Sequence, residues 1–92
     1  MSKERELFRL FSLIKNPREA EALLTDLLTP KELGSLAKRW ELLKELARGT
    51  QQRVVAKKLK LSISKITRGS RVLRHGTGAA WMFLKRMGVL KS

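Results

Sequence analysis

The 92-residue sequence has no cysteine, so no disulfide can staple the chain. It has one histidine, His75, and no acid after Glu45. The second half therefore offers no histidine–carboxylate pair for acid–base work, and no cluster with metal-ligand spacing. These absences argue against an enzyme and against a metal site. Aromatics make up only 5% of residues and fall in core-like positions, which leaves few platforms for stacking unpaired bases. No apolar run approaches the roughly 20 residues needed to span a bilayer. The N-terminus is charged at once, Lys3-Glu4-Arg5-Glu6, without the apolar stretch of a secretory signal. The expectation is a cytoplasmic protein without a membrane partner.

What is present is positive charge, unevenly placed. The formal net charge is +13. Residues 1–45 hold nine Lys or Arg against eight acids, whereas residues 46–92 hold twelve Lys or Arg and no acid. A merely solvated basic face usually has acids interspersed, so this asymmetry points to a polyanion, nucleic acid first. Hydrophobic residues make up 42%, enough for a folded chain. A domain this short buries only about 60–65% of its unfolded surface. A homodimer sharing one core would remedy that.

The pattern reads as helix after helix. Leu7, Leu10, Phe11 and Ile14 recur at i, i+3, i+4, i+7. Asn16-Pro17 caps and starts a second helix running to about Leu28, with Ala22, Leu23, Leu27 and Leu28 facing inward. Thr29-Pro30-Lys31-Glu32 is a capping box opening a third helix. Its stripe is Leu33, Leu36, Ala37, Trp40, Leu43, Leu46 and Ala47, and Gly49 stops it. Thr50–Leu59 predicts a short helix, Lys60-Leu61 a turn, and Ser62 a cap for a helix from Ile63 to about Leu73. His75-Gly76-Thr77-Gly78 is a loop. A last helix carries Trp81, Phe83, Leu84 and Met87.

Two short helices joined by a tight turn are the layout of a helix-turn-helix, here within residues 50–74. The first helix needs a small residue where the second crosses it, which Ala56 supplies. Leu59, Leu61 and Ile66 form the small core that fixes the crossing, with Val55 beneath. Lys60 stands where glycine is frequent, so a left-handed backbone is expected at a lysine.

Thr29-Pro30, Leu46-Ala47-Arg48-Gly49 and above all Ile66-Thr67-Arg68-Gly69-Ser70 resemble the tryptophan repressor family, over about residues 27–74. The resemblance implies an all-α, six-helix fold built as an intertwined homodimer from the single domain 1–92. Residues 1–48 and 78–92 would form the dimer core. It implies L-tryptophan as corepressor, its indole between Arg39 and Arg68, its amino group near the carbonyls of Leu27, Leu28 and Thr29, and Gly69 where the ligand packs. Two guanidiniums can sandwich an aromatic ring, and one can also hold a carboxylate. From the residues alone, the favoured readings are a surface pair of Arg39 with Glu41 or Glu45 and a phosphate contact for Arg68. Two positions depart from the family: Val72 stands where serine is frequent, and the turn between the third and fourth helices is one residue shorter than in the enteric repressors.

The partner so implied is double-stranded DNA. Arg53 matches a family residue that reaches a base, and arginine suits guanine. Ile63, Ser64, Lys65 and Thr67 match the groove-facing start of the recognition helix. Lys57, Lys58, Lys60, Arg71 and Arg74 suit phosphates, which position the protein without selecting sequence. The expected function is repression at a palindromic operator, gated by tryptophan. The alternatives are ligand-independent DNA binding by the same fold, or a basic RNA-binding protein.

Overall fold

In a computed structural model, residues 2–90 are described, and they form six helices and no strand. The chain divides into two units, the first ending at Gly34 and the second starting at Ser35.

In the first unit, α1 (Lys3–Ser12) begins where the Ser2 hydroxyl accepts the Arg5 N–H at 3.1 Å. Helix α2 (Pro17–Leu27) is capped by Asn16, whose side-chain oxygen accepts the Glu19 N–H at 2.9 Å, with proline in the first turn. The Glu19 carboxylate reaches back to accept the Lys15 N–H at 3.0 Å. Each cap satisfies an amide that the helix leaves unpaired. Neither helix buries a residue within this chain. Ile14, Leu23 and Leu28 are half-buried, but Leu7, Leu10, Phe11 and Leu27 lie open, as do Phe8 at 69% exposure and Leu13 at 61%. Ala22 and Leu27, expected to face inward, are exposed.

Helix α3 (Pro30–Ala47) starts at the expected capping box. The Glu32 carboxylate accepts the Thr29 N–H at 2.9 Å, and the Thr29 hydroxyl accepts the Glu32 N–H at 3.1 Å. The Thr29 backbone N–H, with the Thr29 side chain beside it, favours the ionised carboxylate and holds the Glu32 pKa below its ordinary value. Helix α3 ends in a Schellman turn: Thr50 N–H reaches the Glu45 carbonyl at 3.1 Å and Gly49 N–H the Leu46 carbonyl at 3.0 Å. Gly49 adopts φ +90°, a conformation that costs glycine little.

In the second unit, α4 (Gln52–Leu59) and α5 (Ile63–His75) pack on the C-terminal half of α3. Helix α4 begins two residues later than the sequence predicts, because Thr50 is engaged in the Schellman turn. Val55 and Ile66 are fully buried with Leu42, and Leu46, Ala56, Leu59 and Leu61 complete the cluster. Leu42 lies outside the expected stripe. That stripe instead has Leu36 and Ala37 exposed, and Trp40, Leu43, Leu46 and Ala47 half-buried. Helix α3 thus presents two apolar faces, and the one bearing Leu42 meets the helix pair.

Helix α6 (Ala79–Arg86) follows the glycine-containing loop. A β-carbon at Gly76 would collide with the Val72 carbonyl oxygen, so only glycine fits where the chain leaves α5. The Trp81 indole N–H donates to the Leu73 carbonyl at 2.8 Å and ties α6 back to α5. Leu84 is buried, whereas Met82, Phe83 and Met87 are exposed. No described helix is long and apolar enough to cross a membrane.

Candidate nucleic-acid interface

The helix-turn-helix takes its angle from the turn. Lys60 closes α4 with φ 55° and ψ 49°, the left-handed conformation expected of it. Its backbone lets the Leu61 N–H reach the Ala56 carbonyl at 3.0 Å, which turns Leu61 into the core. A left-handed lysine costs about 1–2 kcal/mol. Lys60→Gly is expected to raise stability by about 1 kcal/mol, read from the urea midpoint.

Helix α5 is capped by Ser62, whose hydroxyl accepts the Lys65 N–H at 3.4 Å and lies 3.1 Å from the Ser64 hydroxyl. Ile63, the first residue of the helix, is 67% exposed. Ser64, Lys65 and Thr67 are also exposed, so the expected reading positions share the open start of α5. Arg53 stands exposed in the first turn of α4. Lys57, Lys58, Lys60, Arg68, Arg71 and Arg74 are exposed as well. The two helices and the turn between them present eight Lys or Arg and no acid. Such a surface attracts a phosphate backbone whatever its sequence.

Of these cations, Lys58 is held in an ion pair. The carboxylate that holds it belongs to Glu45, which is only 7% exposed. Lys58 Nζ donates to Glu45 Oε2 at 3.3 Å, the Thr50 hydroxyl donates to the same oxygen at 3.4 Å, and Arg48 lies 3.6 Å from Oε1. Burial pushes the Glu45 pKa up, but the Lys58 hydrogen bond and charge, with Thr50 and Arg48, outweigh it and leave the pKa below its ordinary value. A lowered carboxylate pKa adds stability above the unfolded value and loses it as pH falls through the folded one. Stability should therefore drop below about pH 4.3, the ordinary glutamate range, and less so in Glu45→Gln. Glu45 and Leu42 are the two residues of this region that sequence reasoning missed. Their signal was a second stripe running from α3 into its terminating turn, Leu42, Glu45, Leu46 and Gly49, at the same i, i+3, i+4, i+7 spacing as the first.

The expected ligand residues are distributed over both units. Arg39 is exposed on α3 and Arg68 on α5, and neither has an ion pair among the described residues. The acids that could have taken Arg39 are otherwise engaged, Glu41 with Lys44 at 2.7 Å and Glu45 with Lys58 and Arg48. The α3–α5 contact lies at Gly69, where an added β-carbon would come within 2.9 Å of Leu42 Cδ2 and 3.4 Å of Leu46 Cδ1. Arg68 adjoins that contact in sequence, and Arg39 precedes Leu42 by three residues, or about one helical turn. Both guanidiniums therefore belong to the helices that meet there. Leu27, Leu28 and Thr29 lie in the first unit, where α2 ends. The Thr29 carbonyl accepts the Leu33 N–H at 2.9 Å, while no backbone donor among the described residues reaches the carbonyls of Leu27 or Leu28. Open carbonyls at a helix C-terminus carry partial negative charge and suit an ammonium group. Val72 is exposed on α5 and brings no hydroxyl.

Comparison with known proteins agrees with this geometry. A family model described as Trp repressor protein matches residues 3–88. The crystal structure of a "putative Trp repressor" from Staphylococcus aureus superposes with a TM-score of 0.84 at 28% sequence identity, covering 96% of this chain and 88% of the other. A comparison with curated proteins found no match. With its six helices, its exposed basic helix-turn-helix and a family match over nearly its whole length, the chain belongs to the Trp repressor family of helix-turn-helix transcription regulators.

Proposed function

We propose that the protein is a sequence-specific transcriptional repressor that binds a palindromic operator as a homodimer, with L-tryptophan as corepressor. The observation that carries this reading is the α4–α5 pair. It is fixed internally by Val55, Ile66, Leu59 and Leu61, and it exposes Arg53, Ile63, Ser64, Lys65 and Thr67 among cations with no acid in either helix. Lys57, Lys60, Arg71 and Arg74 hold phosphates, while Arg53 and the start of α5 read bases.

The homodimer is supported by the exposed apolar residues of α1, of the α2 end and of α6, which a second copy would cover. In this reading residues 1–48 and 78–92 make the shared core of one domain, and residues 50–74 make the reading head. Two such heads about 34 Å apart meet successive major grooves.

Arg39 and Arg68 clamp the indole of the ligand beside the α3–α5 contact at Gly69. The carbonyls of Leu27, Leu28 and Thr29 receive its amino group. Bound there, the ligand fixes α5 relative to α3 and favours the spacing that DNA requires. It acts only through its preference for that state.

A second reading, ligand-independent binding by the same fold, is favoured by Val72, which offers no hydroxyl to a ligand. Selection from random duplex DNA at fixed salt tests the DNA-reading claim, since the charge alone gives nonspecific binding. With L-tryptophan present, the expected outcome is a palindrome with half-sites one helical turn apart. No enriched sequence would overturn the proposal. Enrichment of the same palindrome without tryptophan would favour the second reading.

A further inference from the structure

Glu45 is the last acid in the sequence and, among the described residues, the one charged side chain that is buried. It sits between the long helix and the reading head. Its backbone carbonyl takes the Thr50 N–H at 3.1 Å, and its Oε2 takes the Thr50 hydroxyl at 3.4 Å. The same Oε2 takes Lys58 Nζ at 3.3 Å from the last turn of α4. One residue of α3 therefore holds both the approach to α4 and its far end.

Helix α4 has little else of this kind. Gln51 at its N-cap makes no side-chain capping bond. Its apolar anchors, Val55 and Leu59, fix its depth against the core but slide more easily than a directed ionic hydrogen bond. Because α4 leads through Lys60 into α5, a shift of α4 moves the start of the reading helix.

We infer that Glu45 is a positioning residue for DNA reading, and that Lys58 is its structural partner and not a phosphate contact. The inference rests on the DNA-binding reading above. Transfer of Lys58 to a phosphate would leave a nearly buried carboxylate with only Thr50 at 3.4 Å and Arg48 at 3.6 Å, weak company for a group taken out of water. The phosphate would also have to approach the one acid at the edge of the basic surface. Lys57, next in sequence but about 100° round the helix, is exposed and has no ion pair among the described residues.

The test uses the full chain and the selected palindrome over a series of salt concentrations, together with urea unfolding in the absence of DNA. Each lost phosphate contact lowers the slope of log affinity against log salt by about one. Lys57→Met is expected to lower that slope by about one per subunit, and Lys58→Met to leave it unchanged. Glu45→Gln, which releases Lys58, is expected to steepen the slope by about one per subunit and to reduce the preference for the palindrome over unrelated duplex. A purely structural role would not steepen it. In unfolding, the Glu45→Gln/Lys58→Met double variant is expected to lose less stability than the two single losses combined. A slope loss in Lys58→Met equal to that in Lys57→Met overturns the inference, as does full additivity in unfolding. A wild-type protein that binds no duplex instead overturns the DNA-binding reading, and the unfolding cycle still reports the Glu45–Lys58 pair.

Discussion

Ile66→Ala is expected to destabilise the protein by about 2–5 kcal/mol and to abolish DNA binding with it. Ile66 is fully buried against Val55 and Leu42, at the point where α5 crosses α4. Truncation there removes buried methyl and methylene groups and leaves a cavity whose walls come from three helices. Small domains have only about 5–15 kcal/mol in total, so the loss is a large share. Urea unfolding followed by circular dichroism measures it. Ile63→Ala, three residues earlier, is the matched control. Ile63 is 67% exposed, so its truncation should change stability by no more than about 0.5 kcal/mol. It should nevertheless weaken binding to the selected palindrome. Equal stability losses at the two isoleucines would contradict the described placement of α5.

Arg39→Ala and Arg68→Ala carry the other large effect. Under the clamp reading, each removes one face of the ligand sandwich, and the response of DNA affinity to L-tryptophan disappears. Coupling of this kind is typically about 5–150-fold, and that ratio is what each variant should lose. The two differ in the absence of ligand. Arg68 lies on the basic face of α5, so its loss should also weaken binding without tryptophan. Arg39 lies on α3 and not on the basic face of the helix pair, so its loss should leave ligand-free binding unchanged. Fluorescence anisotropy on the same duplex, with and without L-tryptophan, separates these effects. An Arg39→Ala protein with an undiminished tryptophan response would remove the clamp and leave ligand-independent recognition.

Where a structural feature depends on a few neighbouring residues, it was legible in advance. The caps at Asn16 and Ser62, the box of Thr29 and Glu32, and the left-handed Lys60 are set by bonds between residues no more than five apart. The small core of Val55, Ala56, Leu59, Leu61 and Ile66 was legible because a helix-turn-helix needs apolar and small residues at those spacings. The face of α3 that meets it was legible only at Leu46, which the expected stripe included. Periodicity picked the stripe through Trp40 and Leu43, but an 18-residue helix can serve two neighbours, and Leu42 serves the other.

Glu45 was hidden by its charge. A glutamate near arginines reads as a surface partner, and only the fold shows it buried and shared by Lys58, Thr50 and Arg48. In α1, amphipathicity marked a face that needs covering, but a pattern cannot say which chain covers it. Arg39 and Arg68 differ in no local respect from other exposed arginines. Their pairing entered through the resemblance, and the fold adds that they stand on the two helices joined at Gly69.

The central claim, that α4 and α5 form a reading head whose grip depends on a bound ligand, is tested most directly by one pair of isotherms. The wild-type protein is titrated onto the selected palindrome, with and without L-tryptophan, at one fixed salt concentration. The account predicts affinity at least about fivefold tighter with tryptophan, and no change on an unrelated duplex. Superimposable isotherms on the palindrome would contradict it.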